Sequence, residues 1–327
     1  MAMTRRATDS RRGAALLTAL TLLAIFSILG AGYLTYMGSE SDLVRHDLEV
    51  LRARTGAESG VYAAMGDIHA ALANGGAVTG GDTFSYTLPI FRYRDGAPEA
   101  REDLRIAVEV SVVDEQARLN LNHTPPHMLG ALLGLTGDAV DTLAAALPEP
   151  GGEPGDGRRW LASPRELVTR GIVDDETFAG LDLDSLTTDS VPPGMAPVAF
   201  LNVNTIPGDA FQALLGIEDE RLSRVLDQRP FDNMSQLMNA AQRASETFPI
   251  AGEAVGVEAL GFASRVLRLE AVAQLEATAD GEEWRTLRTR RAEAVVHFPE
   301  SASPRLAAWR TAPAPPDTVD APETGEA

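Results

Sequence analysis

Arg11-Arg12-Gly13 and the run AALLTALTLLAIFSILGAGYLTYM that follows it, residues 14–37, decide how this chain is read. The run has 24 residues and no charge. As a helix it extends about 36 Å, enough to cross a bilayer core of about 30 Å. Arg5, Arg6, Arg11 and Arg12 precede it against the single acid Asp9, which predicts a cytoplasmic N-terminus and an external body after Met37. A secretory signal would have a shorter apolar region with its small residue behind it. Here the small residue, Gly13, stands in front of a full-length span.

The helical pattern does not stop at Met37. Leu43, Val44, Leu48, Leu51, Val61, Ala64, Met65, Ile68 and Leu72 recur at mostly helical spacing, with charged residues such as Asp42, Arg45, Asp47, Glu49, Arg52 and Arg54 between them. A single helix from about 14 to 72 is expected, apolar all round in its first half and lying against a body through its second. Gly75 to Asp82 breaks it. Thr83–Tyr93 then reads as one strand or two interrupted at Pro89. Leu104–Val113, Ser264–Glu276 and Trp284–Phe298 alternate with period two, the last pair joined by an Asp280-Gly281 turn signal. These segments predict one antiparallel sheet interrupted by a long helix-rich stretch.

That stretch contains a repeat. LNLNHTPPHMLGALLG, residues 119–134, and LNVNTIPGDAFQALLG, residues 201–216, are identical at eight of sixteen positions. Each copy has the frame Leu119, Asn120, Asn122, Pro125 or Leu201, Asn202, Asn204, Pro207. The Asn and Thr side chains are expected to cap helix starts, the prolines to occupy first turns, and Gly134 and Gly216 to end helices. Such copies resemble helix–hairpin–helix or SAM-like units. A DNA-binding hairpin needs glycine-rich, basic character, whereas Gly216-Ile-Glu-Asp-Glu-Arg is acidic, so a protein-packing unit is expected.

Composition narrows the chemistry. The 327 residues include 47 acids and 28 basic residues, all of the latter arginine, for a net charge of −19. The absence of cysteine and lysine excludes disulfides, thiolate metal sites, cysteine nucleophiles, Schiff-base lysines and P-loops. Such negative charge repels phosphate backbones. No GxSxG, HExxH or EF-hand pattern occurs. His123 and His127 are four apart, yet two prolines lie between them and no third ligand is near, so a capping or surface role is expected. The chain reads as no enzyme.

An apolar span preceded by glycine resembles the class III leader of type IV pilins and type II secretion pseudopilins. That resemblance implies cleavage between Gly13 and Ala14 by a prepilin peptidase, with the helix kept; losing the leader moves the net charge to −22. Most members carry a glutamate at the fifth mature position. Here that position is Thr18, neutral and able to bond its own backbone. A neutral fifth position and tandem LNxN units are similar to the protein K branch of the minor pseudopilins of type II secretion. The resemblance implies an α+β, pilin-like fold: a long N-terminal helix packed on an antiparallel sheet, with a large helical domain inserted between strands. It implies a tip subunit, since a subunit with no neighbour ahead has no amine to meet an acid, and a buried unpaired acid is costly. Implied partners are the other minor pseudopilins (proteins I and J), the prepilin peptidase and the assembly platform of the secretion system, without nucleic acid. The implied location is the bacterial inner membrane with the body in the periplasm.

On this reading the chain divides into a leader at 1–13, a transmembrane helix at 14–37, a first pilin-like part at 38–122, the helical insert at 123–261, the last strands at 262–310 and an acidic Pro-rich tail at 311–327. No cofactor is required. Relatives of protein K bind calcium in the helical domain, and Asp174, Asp175, Asp182 and Asp184 offer oxygen donors for it, although a solvated acidic loop is the default. The rival functions are a membrane protein that binds or takes up DNA through helix–hairpin–helix units, and a scaffold with an uncleaved anchor.

Overall fold

The structure, a computed structural model, describes residues 5–147, 160–189, 201–215, 219–244 and 260–310, apart from positions 125, 127, 128, 131, 132, 136, 280, 282 and 301 within them. Pro125, His127, Gly216, the 148–159 loop and the 311–327 tail therefore lie outside the described residues.

Helix α1 runs Arg5–Ala73, 69 residues and about 100 Å long. Sheet strands β1 (Thr83–Arg94) and β2 (Ala97–Asp114) form a hairpin. The insert follows, with short strands β3 (Leu119–Asn120), β4 (Leu186–Thr187), β5 (Leu201–Asn202) and β6 (Leu260–Gly261). Its helices are α2 (Asp138–Ala146), α3 (Glu166–Thr169), α4 (Asp175–Ala179), α5 (Gly208–Leu215), α6 (Asp219–Leu226) and α7 (Met234–Ala244). Strands β7 (Val266–Ala277), β8 (Arg285–His297) and β9 (Arg305–Arg310) complete an antiparallel sheet of order β1-β2-β7-β8-β9.

The strands flanking the insert are immediate neighbours, with Asp114 opposite Leu267. About 150 residues thus leave and re-enter the sheet at one point without breaking its order. Pro89 does not divide β1 as expected. The strand continues through it, and the irregularity falls on the partner, where Pro89 faces Arg105 but Phe91 faces Ala100. Pro89 lies on an edge strand, where a missing N–H costs nothing.

Two hydrophobic cores result. One joins α1 to the sheet through Ala53, Ala57, Val61, Ala64 and Ile68 against Ile106, Val108, Val110, Leu269 and Ala273. The other lies within the insert and includes Leu121, Leu129, Leu143, Leu167, Phe211 and Leu237. The helix approaches the sheet closely because its inner face is small. A Cβ on Gly56 would sit 2.5 Å from an Ile106 methyl, and one on Gly60 would sit 2.4 Å from a Val108 methyl.

The apolar positions Leu43, Val44, Leu48 and Leu51 do not lie on the body as the periodicity suggested; all four are exposed. The body-facing stripe begins only at Ala53, because small residues rather than leucines face the sheet.

Substituting Gly60 forces overpacking against a stiff β-branched neighbour, at about 1–3 kcal/mol. Gly60→Val should lower the melting temperature of the detergent-solubilised chain. Gly66→Ala, where a Cβ meets nothing within 4 Å, should leave it unchanged or raise it slightly. Equal melting of the two variants would contradict the close helix–sheet contact.

Candidate functional site

Two features of the chain stand out, one turned outward and one holding its two parts together. The first is the bare half of α1. Every described side chain from Leu16 to Leu48 is exposed, about 50 Å of helix, and the exposed set includes Leu17, Leu23, Phe26, Ile28, Leu29 and Leu34. It is the one candidate membrane span among the described residues. Its hydroxyls turn inward: Thr21 donates to the Leu17 carbonyl at 2.8 Å, Ser27 to Leu23 at 2.8 Å and Thr35 to Ala31 at 3.0 Å. Up to Met37 a helix that bonds these hydroxyls to its own backbone presents an almost wholly apolar surface, as lipid requires, with Tyr33 and Tyr36 towards its outer end. Gly13 and Ala14 lie within the helical backbone of α1, and Thr18 is an exposed member of it.

Where the rod meets the body, Arg288 of β8 reaches His46 Nδ1 at 2.7 Å and Glu49 at 3.5 Å. Further along, Tyr62 stacks on Trp309 of β9, with ring centroids 5.8 Å apart.

The second feature is the junction between sheet and insert, made by three consecutive residues at the end of β2. Asp114 is buried and accepts hydrogen bonds from Ser264 Oγ at 2.5 Å, Thr205 Oγ1 at 2.5 Å and the Gln116 backbone N–H at 2.9 Å. Glu115, also buried, accepts from Arg268 Nε at 2.6 Å and from the Thr187 hydroxyl. Gln116 Oε1 accepts from the backbone N–H groups of Arg265 at 2.5 Å and Val266 at 3.2 Å. The chain leaving the sheet thus holds both the insert and the strand that returns from it.

The ion pairs extend outward. Arg268 approaches Glu293 at 3.7 Å, Arg310 approaches Glu293 at 3.4 Å, and Arg310 reaches Asp189 at 2.5 Å. Asp189 follows β4, so the series runs from the insert across three strands and back. Burial pushes the Asp189 and Glu293 carboxyls above their ordinary range, against the pull of the arginines.

No local periodicity marks Asp114-Glu115-Gln116 as a junction. The available signal was three polar residues directly after an alternating strand and before the first repeat.

The repeat asparagines act differently from the helix caps expected of them. Asn120 Oδ1 accepts from the Asn122 N–H at 2.8 Å, and Asn202 Oδ1 from the Asn204 N–H at 3.0 Å, each closing a local turn. The second asparagine of each copy grips a distant backbone. Asn122 bonds both the N–H and the C=O of Leu161, at 2.7 and 2.9 Å. Asn204 bonds both of Phe231, at 2.7 and 2.9 Å. Leu119–Asn120 and Leu201–Asn202 each pair in parallel with a two-residue strand, β4 and β6 respectively. Asparagine supplies a donor and an acceptor in one plane, which a backbone segment demands. Pro207 does precede α5, its carbonyl accepting from Phe211.

The other expected residues are scattered in role. Asp174 caps α4 by accepting from the Thr177 N–H at 2.7 Å, and Asp182 caps a following turn through the Asp184 N–H at 3.1 Å. Asp175 pairs with Arg165 at 3.1 Å, and Asp184 is exposed. Among the described residues no three His, Asp or Glu side chains gather as a metal-holding group. His123 is half-buried and stacks on Trp160 at 4.8 Å.

No known protein-family profile matches the chain. No curated protein sequence matches it. Among solved structures it is similar to a chain of the crystal structure of the GspK–GspI–GspJ complex from the type 2 secretion system of enterotoxigenic Escherichia coli, with 15% identity and a TM-score of 0.49, over 83% of this chain and 99% of that one.

Removing the Asp114 carboxylate leaves two buried donors, Ser264 Oγ and the Gln116 N–H, and the half-buried Thr205 hydroxyl without this acceptor, at about 1–3 kcal/mol for each buried one before relaxation. Asp114→Ala should therefore loosen the insert, read as faster amide exchange at Ser264 to Val266 and in β5. Unchanged exchange there would show that the junction is held elsewhere.

Burial beside Trp160 pushes the His123 imidazole down to about 4. The unfolded chain, with an imidazole near 6.5, takes the proton first, so this group's stabilisation is complete above about pH 6.5 and is lost as pH falls towards 4. The melting temperature should drop more steeply between pH 6.5 and 4.5 for the native chain than for His123→Phe. Parallel curves would contradict the buried neutral ring.

Proposed function

We propose that this chain is a minor pseudopilin of a type II secretion system, anchored in the inner membrane by α1 and assembled at the tip of the pseudopilus. The observation that carries the reading is the division of one helix into two surfaces. From Ala53 onward its inner face is buried against the sheet, while from Leu16 to Met37 it is bare and uncharged on all sides. Hydrocarbon of that length needs either lipid or the helices of neighbouring subunits, and a subunit that passes from membrane to fibre meets both in turn.

Two further features support the tip. Thr18 places no acid in the apolar segment for a preceding subunit's amine to neutralise. The insert, with its own core, adds bulk beside the sheet that a closely packed shaft has no room for, and that a free end accommodates. Proteins I and J are the partners proposed for the rod and the sheet edge, with the prepilin peptidase and the assembly platform acting before them. The DNA-binding rival needs a basic hairpin; at the start of α6 the described side chain is the exposed acid Glu220.

The test is the amino terminus of the protein extracted from membranes. It should begin at Ala14, and Gly13→Val should retain the leader and fail to support secretion. A native chain that keeps residues 1–13 in a working secretion system would overturn the reading.

A further inference from the structure

The hairpin of β1 and β2 is longer than the sheet that carries it. Pairing of β2 with β7 ends at Leu104 opposite Ala277, yet β1 and β2 continue as a two-stranded ribbon from Phe91 opposite Ala100 to Arg94 opposite Ala97. Asp95 and Gly96, at φ of 53° and 83°, close it in the turn that such a ribbon demands. Ile90 and Leu104 are buried at its base and fix it to the body.

The ribbon's direction along the molecule follows from the helix contacts. Gly56 lies against Ile106, and Gly60 against Val108 and Val110, so β2 and α1 rise together and the ribbon lies at the end of the sheet nearest the apolar span.

Its surface is unusual for an exposed ribbon. Phe91 is 55% and Tyr93 80% exposed, opposite Ala100 and Pro98. Outside α1 the large apolar side chains that are exposed among the described residues are these two, Leu183 and Leu306. The ribbon's charges are largely paired with one another, Arg92 with Glu99 at 3.0 Å and Arg101 with Asp103 at 2.5 Å, which leaves an aromatic face of low net charge.

The lengths agree. From Ile90 to the turn the ribbon reaches about 17 Å. From Met37, where the uncharged run ends, to Gly56, which lies beside Ile106 and so level with its partner Leu88, the helix rises about 28 Å, against about 23 Å of hairpin from Leu88 to the turn, which leaves the turn about 5 Å outside Met37. A headgroup layer of about 5–7 Å takes in that position.

We propose that the tip of this ribbon, through Phe91, Tyr93 and Pro98, seats in the headgroup layer of the bilayer that α1 spans and braces the body against the membrane surface before assembly. Phenylalanine and tyrosine at a ribbon's end suit that layer, where an apolar ring meets hydrocarbon and a hydroxyl meets water. A strand-adding protein partner would instead use the free edge of β1 along its length, where Thr83, Ser85 and Thr87 stand exposed, and would have no use for aromatics at the turn. The proposal rests on the reading of α1 as a membrane span.

The chain has no cysteine, so single cysteines report cleanly. The full-length protein carrying Tyr93→Cys, Thr83→Cys or Leu23→Cys, each labelled with a small environment-sensitive fluorophore, is reconstituted into phosphatidylethanolamine–phosphatidylglycerol vesicles. A headgroup nitroxide should quench position 93 about two-fold or more beyond position 83, and an acyl-chain nitroxide should quench position 23. Equal quenching at 93 and 83, with 23 quenched, overturns the ribbon's role and leaves the span intact. Absence of acyl-chain quenching at 23 overturns the span, and the ribbon proposal with it. Shielding of 93 that arises only when another pseudopilin is added assigns the tip to a protein and also overturns the proposal.

Discussion

A carboxylate buried beneath two hydroxyls and a backbone amide joins the two halves of this molecule. Asp114 ends the strand that leaves the sheet, and its oxygens hold Thr205 from the second repeat and Ser264 from the returning chain. Burying an anion is tolerable only when its lone pairs are filled, so the donors have to be in place together. That requirement couples three segments distant in sequence. The insert cannot take its place without β5 and the approach to β7 also being correct, and the sheet cannot close its central pair without the insert's exit.

The joint is polar, and the two cores that it separates are apolar, which divides the work physically. Apolar burial is non-directional; it holds α1 on the sheet through small residues and packs the insert on itself without specifying the angle between them. Charge-assisted hydrogen bonds have narrow geometry. The series Thr187, Glu115, Arg268, Glu293, Arg310 and Asp189 crosses from the insert over β7, β8 and β9 and returns, so a rotation of the insert would lengthen several contacts at once. The bonded series therefore fixes the orientation of the insert on the sheet, which apolar packing alone would leave free.

Much of this was legible in the sequence, and what was not shares a cause. The span at 14–37, the long helix, the alternating strands and the LNxN copies are local patterns, and local periodicity reports them directly. The junction escaped because Asp114-Glu115-Gln116 has no period and its partners lie about 70 to 150 residues away. Short polar side chains before a helix usually cap it, and so the asparagines suggest caps; here parallel two-residue strands give the backbone other partners, and the second asparagine of each copy meets a distant segment's amide instead. Leu43 to Leu51 had the spacing of a buried face, and spacing cannot tell burial in this chain from burial in lipid or in a neighbour.

That last ambiguity bears on how the rod works. From Ala53 to Ala64 the residues of α1 that face the body are alanine, glycine and valine, with Ile68 buried beyond them, and most of the large apolar side chains lie elsewhere on the helix or before it. Small residues let the sheet come close, but they bury little area per residue, so the helix is held mainly by the number of close backbone approaches and by the Arg288 and Trp309 contacts at its flanks. The large side chains are left for an outside surface. Had leucines faced the sheet, the body would be bound more strongly and the rod would have less to offer a bilayer or a fibre. The distribution of side-chain size along one helix therefore sets the balance between folding and assembly, and the exposed stripe from Val44 through Leu48 and Leu51 to Tyr62 continues the outward surface of the span onto the body itself.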